Sequence, residues 1–354
     1  MKASKEQLMT DTFDEEKLAQ YLVQHIPSFK GPLTATKFEG GQSNPTYKIE
    51  AESGQYVLRS QPLGKLLKSA HAVDREFKVY KALADSDVPV PKVYHLCEER
   101  DVIGSMFYVM DLCEGRIFWD AALPELDSND DRAHAYEHMN SVLAAIHSID
   151  IKKVGLSDFG KPGNYFERQI GRWTTQYKAS EIESIPAMDQ LMAWLQNNMP
   201  EDDGRVSLVH GDFRLDNMIF LPNESKIIAV LDWELSTLGH PFADLAYQCM
   251  QLRMPGSSEA KPGSMSGLAG LDRGSLGIPS EKAYVASYCA KMGLEKIDHW
   301  AFYLAFSFFR LAAIAQGVAK RALDGNASNK NAMKIGSYVA PLAMAALGVI
   351  KTES

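Results

Sequence analysis

Cysteine is scarce in this sequence, and no two cysteines have a metal-binding spacing. The four cysteines lie far apart in a chain of 354 residues. No Cys-x-x-Cys pair and no Cys/His ligand spacing occurs, which argues against a zinc site. A disulfide framework is not expected in a chain of this length, because such frameworks are typical of small secreted domains. The residues concerned are Cys97, Cys113, Cys249 and Cys289.

An excess of positive charge is also lacking. The chain has 37 Lys and Arg against 45 Asp and Glu, which gives a formal net charge of -8. A protein that binds nucleic acid through its surface needs a basic face. The composition therefore argues against a nucleic-acid partner, although it leaves room for a local basic pocket.

The first residues contain no apolar run of the signal-peptide type, so we predict a cytoplasmic location. One later segment, residues 300–321, is nearly long enough to cross a bilayer. Arg310 stands in its middle, with Ser307 and Gln316 nearby, and a charged side chain at the centre of a membrane is costly. We therefore predict a buried helix here and no membrane partner.

Apolar residues make up 45% of the chain, which is ample for a large core in one big or two modest domains. Residues 14–25 have the pattern of an amphipathic helix that Asp14 caps and that buries Leu18, Leu22 and Val23. Alternating residues with Gly-Gly and Ser-Gly turns follow, then a helix in "AHAVDREFKVYKALAD" and further strands in "VIGSMFYVMDLCEG". We predict a small antiparallel sheet with one helix over residues 30–112.

After residue 115 the pattern becomes helical, apart from short strands between residues 208 and 232. Residues 255–279 are rich in Gly, Ser and Pro and predict a mobile loop. The predicted fold class is α+β, with a β-rich N-lobe over residues 1–112 and a mainly α-helical C-lobe over residues 113–354.

Acidic and amide side chains stand next to these short strands, in "LVHGDFRLDNMIF" and "IIAVLDWE". If each piece is a strand that ends in a turn, Asp212, Asn217 and Asp232 can converge on one point. Carboxylate and amide oxygens suit Mg²⁺, and a separate carboxylate can accept a proton from a hydroxyl. Each residue alone could instead form an ordinary Asx-turn. The ordered set favours phosphoryl transfer, which needs a metal and a positioned base.

"HGDFRLDN" followed by "LDWE" resembles the catalytic loop and metal-binding motif of the aminoglycoside phosphotransferase family, which has the protein-kinase-like fold. The resemblance implies that His210 and Asp212 are catalytic, with Asp212 as the base, and that Asn217 and Asp232 bind Mg²⁺. It also implies that Arg214 contacts the transferred phosphate.

The same resemblance reaches the N-lobe and implies that ATP is the cofactor. "FEGGQSNPTYKI" resembles the phosphate-covering loop, although a Gly-Gly turn alone is usually just a hairpin. Arg59 stands where kinases have a phosphate-binding Lys, and Arg is also a good phosphate ligand. Glu76 is the predicted partner of Arg59, and the alternative is that Glu76 lies on the exposed surface of its helix. The predicted nucleotide-binding residues are Gly40, Gly41, Gln42, Ser43, Asn44, Arg59, Glu76 and, at the adenine hinge, Met110 and Leu112.

Further pieces, among them "VLDWELSTLGHPFADLAY" and "GVAKRALDGNAS", resemble one branch of the family. In that branch the kinase-like domain is fused to an acyl-CoA dehydrogenase in some larger proteins. His240 stands where the branch usually has Asp, and we expect little effect because it lies outside the predicted ligands. Asp244 is expected to brace the catalytic loop.

The acceptor is expected to be a small molecule with a hydroxyl group. The branch implies a hydroxyacyl-CoA or a related hydroxy acid, and an aminoglycoside or amino-alcohol is the alternative. A kinase-like binding module without catalysis is a third possibility, which the complete catalytic set argues against. A buried Arg310 needs an anionic partner, either a structural carboxylate or the substrate. The candidate acceptor-binding residues are Glu234, Arg310 and Arg321, with Lys320 beside them.

Overall fold

The computed structural model describes residues 13–38, 44–64, 71–256, 267–324 and 332–353. Its contacts divide the chain into two units. The N-terminal unit takes residues 1–84 and 90–113, and the C-terminal unit takes residues 85–89 and 114–354. A sheet dominates the first unit, and helices dominate the second.

The N-terminal unit is built on one antiparallel sheet of five strands in the order β1-β2-β3-β5-β4. Alternation along β2 and β3 buries Tyr47, Ile49, Tyr56 and Leu58 in one hydrophobic cluster, as period-two patterning requires. The strands are β1 (Leu33–Lys37), β2 (Thr46–Ala51), β3 (Gly54–Ser60), β4 (Val93–Cys97) and β5 (Phe107–Asp111).

Two helices accompany this sheet: α2 (Val73–Leu83), the one predicted with it, and in addition α1 (Glu15–His25). Asp14 caps α1 as predicted, because its carboxylate accepts a hydrogen bond from the Lys17 N–H at 3.0 Å. The prediction that Val23 is buried was wrong, since its side chain is 52% exposed. Val23 lies about 100° around the helix from the buried Leu22, which takes it off the apolar stripe.

Strand β4 was missed, and the short strand expected at Val102 and Ile103, before the predicted Gly-Ser turn, is itself part of that turn. Val102 and Ile103 are apolar because they pack into the core cluster from that turn, not because they extend a strand. The residues of β4 are mostly half-buried, so the segment lacks the alternation that identifies a strand.

The C-terminal unit surrounds its long central helix α8 with other helices. Two short antiparallel pairs, β6 with β9 and β7 with β8, each form a two-stranded sheet. The helices are α3 (Asn129–His147), α4 (Tyr165–Ser180), α5 (Pro186–Asn197), α6 (Phe242–Met250), α7 (Glu281–Met292), α8 (Trp300–Leu323), α9 (Ala332–Gly336) and α10 (Val339–Glu353). The strands are β6 (Ser207–Val209), β7 (Met218–Phe220), β8 (Ile227–Val230) and β9 (Thr237–Gly239).

Within the described ranges, two segments are long and apolar enough to cross a membrane, Trp300–Leu323 and Lys334–Thr352. The apolar window of the first is 78% buried inside the protein, as expected of the predicted core helix. The second is 33% buried. Helix α8 thus serves as the core of its unit, and length and composition alone are weak evidence of a membrane span.

The Gly-rich segment 255–279 is described at residues 255–256 and 267–279, and residues 257–266 lie outside the description. Backbone hydrogen bonds anchor its second part. The N–H of Leu268 donates to Gln251 at 3.0 Å, and that of Ala269 donates to Met254 at 2.8 Å. These bonds hold the second part of the segment against the end of α6.

Candidate active site

Two loops lie side by side between the short strands of the C-terminal unit. Loop A (residues 210–217) joins β6 to β7, and loop B (residues 231–236) joins β8 to β9. Val209 at the end of β6 pairs with Thr237 at the start of β9, while Met218 pairs with Val230. Because both strand pairs meet the loops at the same ends, Asp212, Asn217 and Asp232 are carried on adjacent turns, as the sequence predicted.

The backbone of Leu231 ties the two loops together. Its N–H donates to the Asn217 carbonyl at 2.8 Å, and its own carbonyl accepts from Nε2 of His210 at 3.0 Å. Nδ1 of His210 then accepts the N–H of Asp212 at 3.2 Å. His210 was predicted among the catalytic residues, but its ring is fully buried with both nitrogens used. Both ring nitrogens therefore hold the two loops together.

Asp244 on α6 braces the start of loop A, as expected. Its carboxylate accepts the N–H of His210 at 2.6 Å and that of Gly211 at 2.9 Å. His147 Nε2 lies 3.4 Å from the same carboxylate. Burial raises the pKa of Asp244, but the bond from His147, the His147 and His210 imidazoles and the Gly211 N–H outweigh burial and hold the pKa below its ordinary value. The carboxylate is therefore charged at neutral pH.

Only glycine fits between the two loops at position 211. Gly211 has φ +85°, and a Cβ added there would lie 2.7 Å from the Leu235 carbonyl oxygen. This close approach sets the distance between loop A and loop B.

Asp212 is held by three side chains. Tyr247 donates its hydroxyl to Oδ1 at 2.8 Å, and Arg214 Nε lies 3.5 Å from the same oxygen. Asn217 Nδ2 donates to Oδ2 at 3.2 Å and to the Asp212 carbonyl at 2.9 Å. Burial raises the pKa of Asp212, but Arg214, the Tyr247 hydroxyl and the nearby His210 and Arg310 together lower it below its usual range. The group is thus a carboxylate, ready to accept a hydrogen bond.

Sequence reasoning missed Tyr247 as part of this group. The residue lies 35 positions after Asp212 and belongs to α6, which was not predicted as a helix. A signal was available in "DLAY", because Asp244 and Tyr247 stand three apart and share a helix face.

Arg214 bridges two carboxylates. Its Nη2 lies 2.6 Å from Asp216 Oδ2, and its Nε lies 3.5 Å from Asp212. Burial lowers the pKa of a guanidinium, but these two carboxylates outweigh burial and raise it. Burial raises the pKa of Asp216, against the charge of Arg214. Asp216 was not among the predicted residues, although it stands inside the quoted motif.

Asn217 and Asp232 fit a site for a hard cation. Nδ2 of Asn217 donates hydrogen bonds to Asp212, while Oδ1 accepts no hydrogen bond from the residues that the structure describes. Asp232 adopts a left-handed conformation, with φ 65° and ψ 58°, just before the turn Trp233–Leu235. No cluster of three His, Cys, Asp or Glu side chains that could hold a metal occurs in the described parts. Two oxygen ligands suit Mg²⁺, which keeps waters and takes phosphate oxygens.

The N-terminal unit contains the predicted ion pair between Arg59 on β3 and Glu76 on α2. Arg59 Nε lies 2.9 Å from Glu76 Oε2, and the Glu76 side chain is fully buried. Burial, followed by the charge of Glu76, raises the pKa of the neighbouring Tyr108. The pair fixes the Arg59 guanidinium on the sheet.

The other predicted nucleotide ligands are described in part. Asn44 is buried, and its Oδ1 lies 3.0 Å from His71 Nδ1. Met110 is buried in β5, and Leu112 follows that strand in a partly buried position. The remaining residues of the predicted phosphate loop, Gly40, Gly41, Gln42 and Ser43, lie outside the described residues.

Arg310, one of the predicted acceptor ligands, contacts loop A directly. It is 6% exposed, and its Nη2 donates to the Gly211 carbonyl at 2.5 Å. The guanidinium also lies 5.5 Å from the ring centre of Tyr247 and 5.8 Å from that of Trp173. No carboxylate of the described ranges lies within 4.0 Å of it, so the structural acidic partner that we considered is not found there.

The other acceptor candidates lie further away or in different surroundings. Arg321 is exposed in the last turn of α8, about 16 Å along the helix from Arg310. Lys320 beside it pairs with Asp324 at 2.5 Å. Glu234 is partly buried in loop B. The structure thus brings Arg310 to loop A, whereas Arg321 stands three turns away along the same helix.

His240 lies at the far end of β9, away from loop B. Its ring is buried and stacks on Tyr303, with ring centres 5.5 Å apart, and Nε2 lies 3.3 Å from Asp203 Oδ1. Burial lowers the pKa of His240 despite the nearby carboxylates. The residue is a packed core histidine.

Residues 34–276 match the family model described as "Phosphotransferase enzyme family". The chain is 49% identical over 335 residues to mouse acyl-CoA dehydrogenase family member 10. That match covers 94% of this chain and 31% of the mouse protein, so the chain spans about a third of this relative's length. The resemblance to a kinase-like domain of larger acyl-CoA dehydrogenase proteins is confirmed.

Among solved structures, a protein of Ralstonia eutropha JMP134 assigned as an aminoglycoside phosphotransferase is 47% identical, with a TM-score of 0.87. The match covers 96% of this chain and 99% of that one. A thermostable mutant of aminoglycoside phosphotransferase APH(4)-Ia, in ternary complex with ADP and hygromycin B, matches with a TM-score of 0.60 at 13% identity, over 94% of this chain and 98% of that one. These likenesses confirm the predicted α+β protein-kinase-like fold.

Proposed function

This chain belongs to the phosphotransferase enzyme family, and from that premise we propose that it transfers the γ-phosphate of ATP to a hydroxyl group of a small molecule. The observation that carries this proposal is the geometry of Asp212. The carboxylate is held by Tyr247 and Asn217, and adjacent turns bring Asn217 and Asp232 alongside. A fixed base beside two oxygen ligands is the arrangement that phosphoryl transfer uses.

Each unit contributes its own part of nucleotide binding. In the C-terminal unit, Asn217 and Asp232 would hold Mg²⁺, which when bound neutralises charge on the phosphates. In the N-terminal unit, Arg59 would contact the phosphates, together with residues 41–44, and the backbone at Met110 and Leu112 would contact adenine. The pairing of Arg59 with Glu76 supports this assignment, since it directs a permanent positive charge. The ADP in the complex of the more distant structural relative is consistent with it.

The chemical step follows from the position of Asp212. Its carboxylate orients the acceptor hydroxyl and takes the hydroxyl proton. The hydroxyl oxygen forms a bond to the γ-phosphorus, while the bond from that phosphorus to the bridging oxygen breaks and ADP leaves. Arg214, which contacts Asp212 and Asp216, would contact the transferred phosphoryl group.

For the acceptor, we favour a hydroxyacyl-CoA or a related hydroxy acid. Arg310 supports an anionic or carbonyl-bearing acceptor, because a buried guanidinium without a described carboxylate retains donors for a ligand. The acyl-CoA dehydrogenase name of the mouse relative points in the same direction. Arg321 and Glu234 would contact more remote parts of this acceptor.

An aminoglycoside or amino-alcohol acceptor is the second candidate. It is favoured by the hygromycin B in the complex of the distant structural relative. The positive charge of Arg310, which is buried against loop A, argues against a polycationic acceptor because like charges repel. A binding module without catalysis would need no fixed base, which makes it the third candidate.

We place this activity in the cytoplasm, with no nucleic-acid or membrane partner. The net charge of -8 supports the absence of a nucleic-acid partner, and the burial of α8 supports the absence of a membrane partner.

The proposal is tested by ADP release from Mg²⁺-ATP over a panel of hydroxyacyl-CoAs, hydroxy acids, aminoglycosides and amino-alcohols. We expect turnover on an acyl-CoA or hydroxy acid and its loss in Asp212→Ala, with Mg²⁺-ATP affinity nearly unchanged. Turnover on an aminoglycoside alone would keep the chemistry and overturn the acceptor. Undiminished turnover in Asp212→Ala would refute the assigned base, and absence of all turnover in the wild type would favour a binding module.

A further inference from the structure

The donor that fixes the Asp212 carboxylate most closely is Tyr247. Its hydroxyl lies 2.8 Å from Oδ1, against 3.5 Å for Arg214 Nε on the same oxygen and 3.2 Å for Asn217 Nδ2 on Oδ2. At these distances only the tyrosine makes a short hydrogen bond to the carboxylate.

The two donors that lie farther from the Asp212 carboxylate also contact other groups. Arg214 makes its shorter contact, 2.6 Å, with Asp216. Asn217 donates at 2.9 Å to the Asp212 backbone and is itself a proposed metal ligand. Both side chains therefore divide their donors between the Asp212 carboxylate and another group. The hydroxyl of Tyr247 has no second partner in the described residues, so it alone is dedicated to Asp212.

Tyr247 is itself firmly placed. It is 6% exposed on α6, one turn after Asp244, which binds the backbone of His210 and Gly211. The Arg310 guanidinium lies 5.5 Å from the ring centre and donates to the Gly211 carbonyl on its other side. One face of α6 thus holds loop A at two points. Asp244 binds the backbone of the loop, and Tyr247 binds the carboxylate of Asp212.

We propose that Tyr247 is the positioning residue of the catalytic carboxylate: its hydroxyl holds Oδ1 of Asp212, which leaves Oδ2 to take the proton of the acceptor. The inference rests on the proposed function and deepens it by dividing the two oxygens between a fixed donor and the substrate. Loss of the hydroxyl frees the carboxylate to rotate, and a misplaced base slows the chemical step without changing how substrates bind.

The test compares Tyr247→Phe with Tyr284→Phe. The second variant also removes one buried tyrosine hydroxyl that bonds to α6, since Tyr284 donates to Gln248 Oε1 at 2.7 Å, but it does not touch Asp212. We expect Tyr247→Phe to lower kcat about 100-fold with KM for ATP and for the acceptor within twofold. Tyr284→Phe should lose a similar amount of thermal stability and keep the kcat of the wild type.

A kcat of Tyr247→Phe within twofold of the wild type would overturn the inference, and so would an equal loss of kcat in Tyr284→Phe. Both results leave the proposed function standing as long as the wild type turns over and Asp212→Ala does not. If the wild type shows no turnover, the proposed function fails, and crystals of Tyr247→Phe still decide the inference. The Asp212 carboxylate should then occupy a second rotamer, and retention of the single wild-type position would contradict the proposal.

Discussion

The carboxylate of Asp244 accepts a hydrogen bond from the backbone N–H of His210 at 2.6 Å, across 34 positions of sequence. Through this bond, and a second to Gly211, helix α6 fixes the point at which β6 ends and loop A begins. A charge-assisted bond to a backbone N–H is stronger than a neutral one, and here the whole group is buried. The stability of the site therefore depends on the charge of Asp244.

We predict that Asp244→Asn destabilises the protein by about 3 kcal/mol, because it leaves buried N–H groups with a weaker acceptor and removes a buried charge. Unfolding in urea measures the effect. Asp189→Asn is the control, since Asp189 is an exposed carboxylate on α5 with one surface ion pair. Equal stability of the two variants would contradict the bracing role.

The same residue gives a pH dependence with a definite sign. The pKa of Asp244 is held below its ordinary value of 3.8, so the folded state binds this proton less readily than the unfolded state. The stabilisation is complete well above pH 3.8 and is lost as the pH falls through the folded pKa. The stability difference between wild type and Asp244→Asn should narrow as the pH falls below 4. A stability difference that widens on acidification would contradict the lowered pKa of Asp244.

Much of the site could be predicted because its members stand next to strand signals. Asp212 and Asp232 follow apolar runs and Asn217 directly precedes one, and the antiparallel pairing of those runs brings the turns together. Tyr247 could not be found in this way, because its contact depends on how α6 packs against loop A. The pairing of Arg59 with Glu76 came from the resemblance, since nothing local joins a strand residue to a helix residue 17 positions later.

The parts of the fold that were missed have physical reasons. Strand β9 has three residues and α6 has nine, too short for their periodicity to stand out, and α6 is buried on all sides. Strand β4 lies at the edge of its sheet with half-buried residues. In each case, tertiary packing determines the element more than local pattern does.

Arg59→Lys should retain the ion pair with Glu76 but weaken ATP binding. The planar guanidinium of Arg can bind a carboxylate and a phosphate at the same time. The ammonium of Lys is a point charge and lacks this geometry. We expect an increase in KM for ATP of about tenfold, or about 1.4 kcal/mol, with little change in the unfolding midpoint. Lys81→Ala, on the exposed side of α2, is the matched control. An unchanged KM would remove Arg59 from the nucleotide site.

Asp232→Asn tests the metal ligands. The substitution keeps the size of the side chain and removes one negative charge from the pair with Asn217, so Mg²⁺ should bind more weakly. Titration of ATP binding against Mg²⁺ concentration should show a midpoint about tenfold higher than that of the wild type, while the same titration of Asp189→Asn stays unchanged. A wild-type Mg²⁺ midpoint would count against the assignment of Asp232.

Substitutions of Arg310 and Arg321 test which part of the acceptor each residue binds. Arg310→Met removes a buried cation and its hydrogen bond to the Gly211 carbonyl, so the protein should lose about 1–3 kcal/mol of stability. If Arg310 binds the acceptor's anionic group, KM for a hydroxy acid should rise about tenfold or more, while KM for its uncharged methyl ester should not change. Arg321→Met, at an exposed site about three helical turns away, should affect only acceptors long enough to reach it, such as a hydroxyacyl-CoA. An equal rise in KM for the acid and for the ester in Arg310→Met would show that Arg310 acts only through Gly211 and Tyr247. Another residue would then bind the charged group of the acceptor.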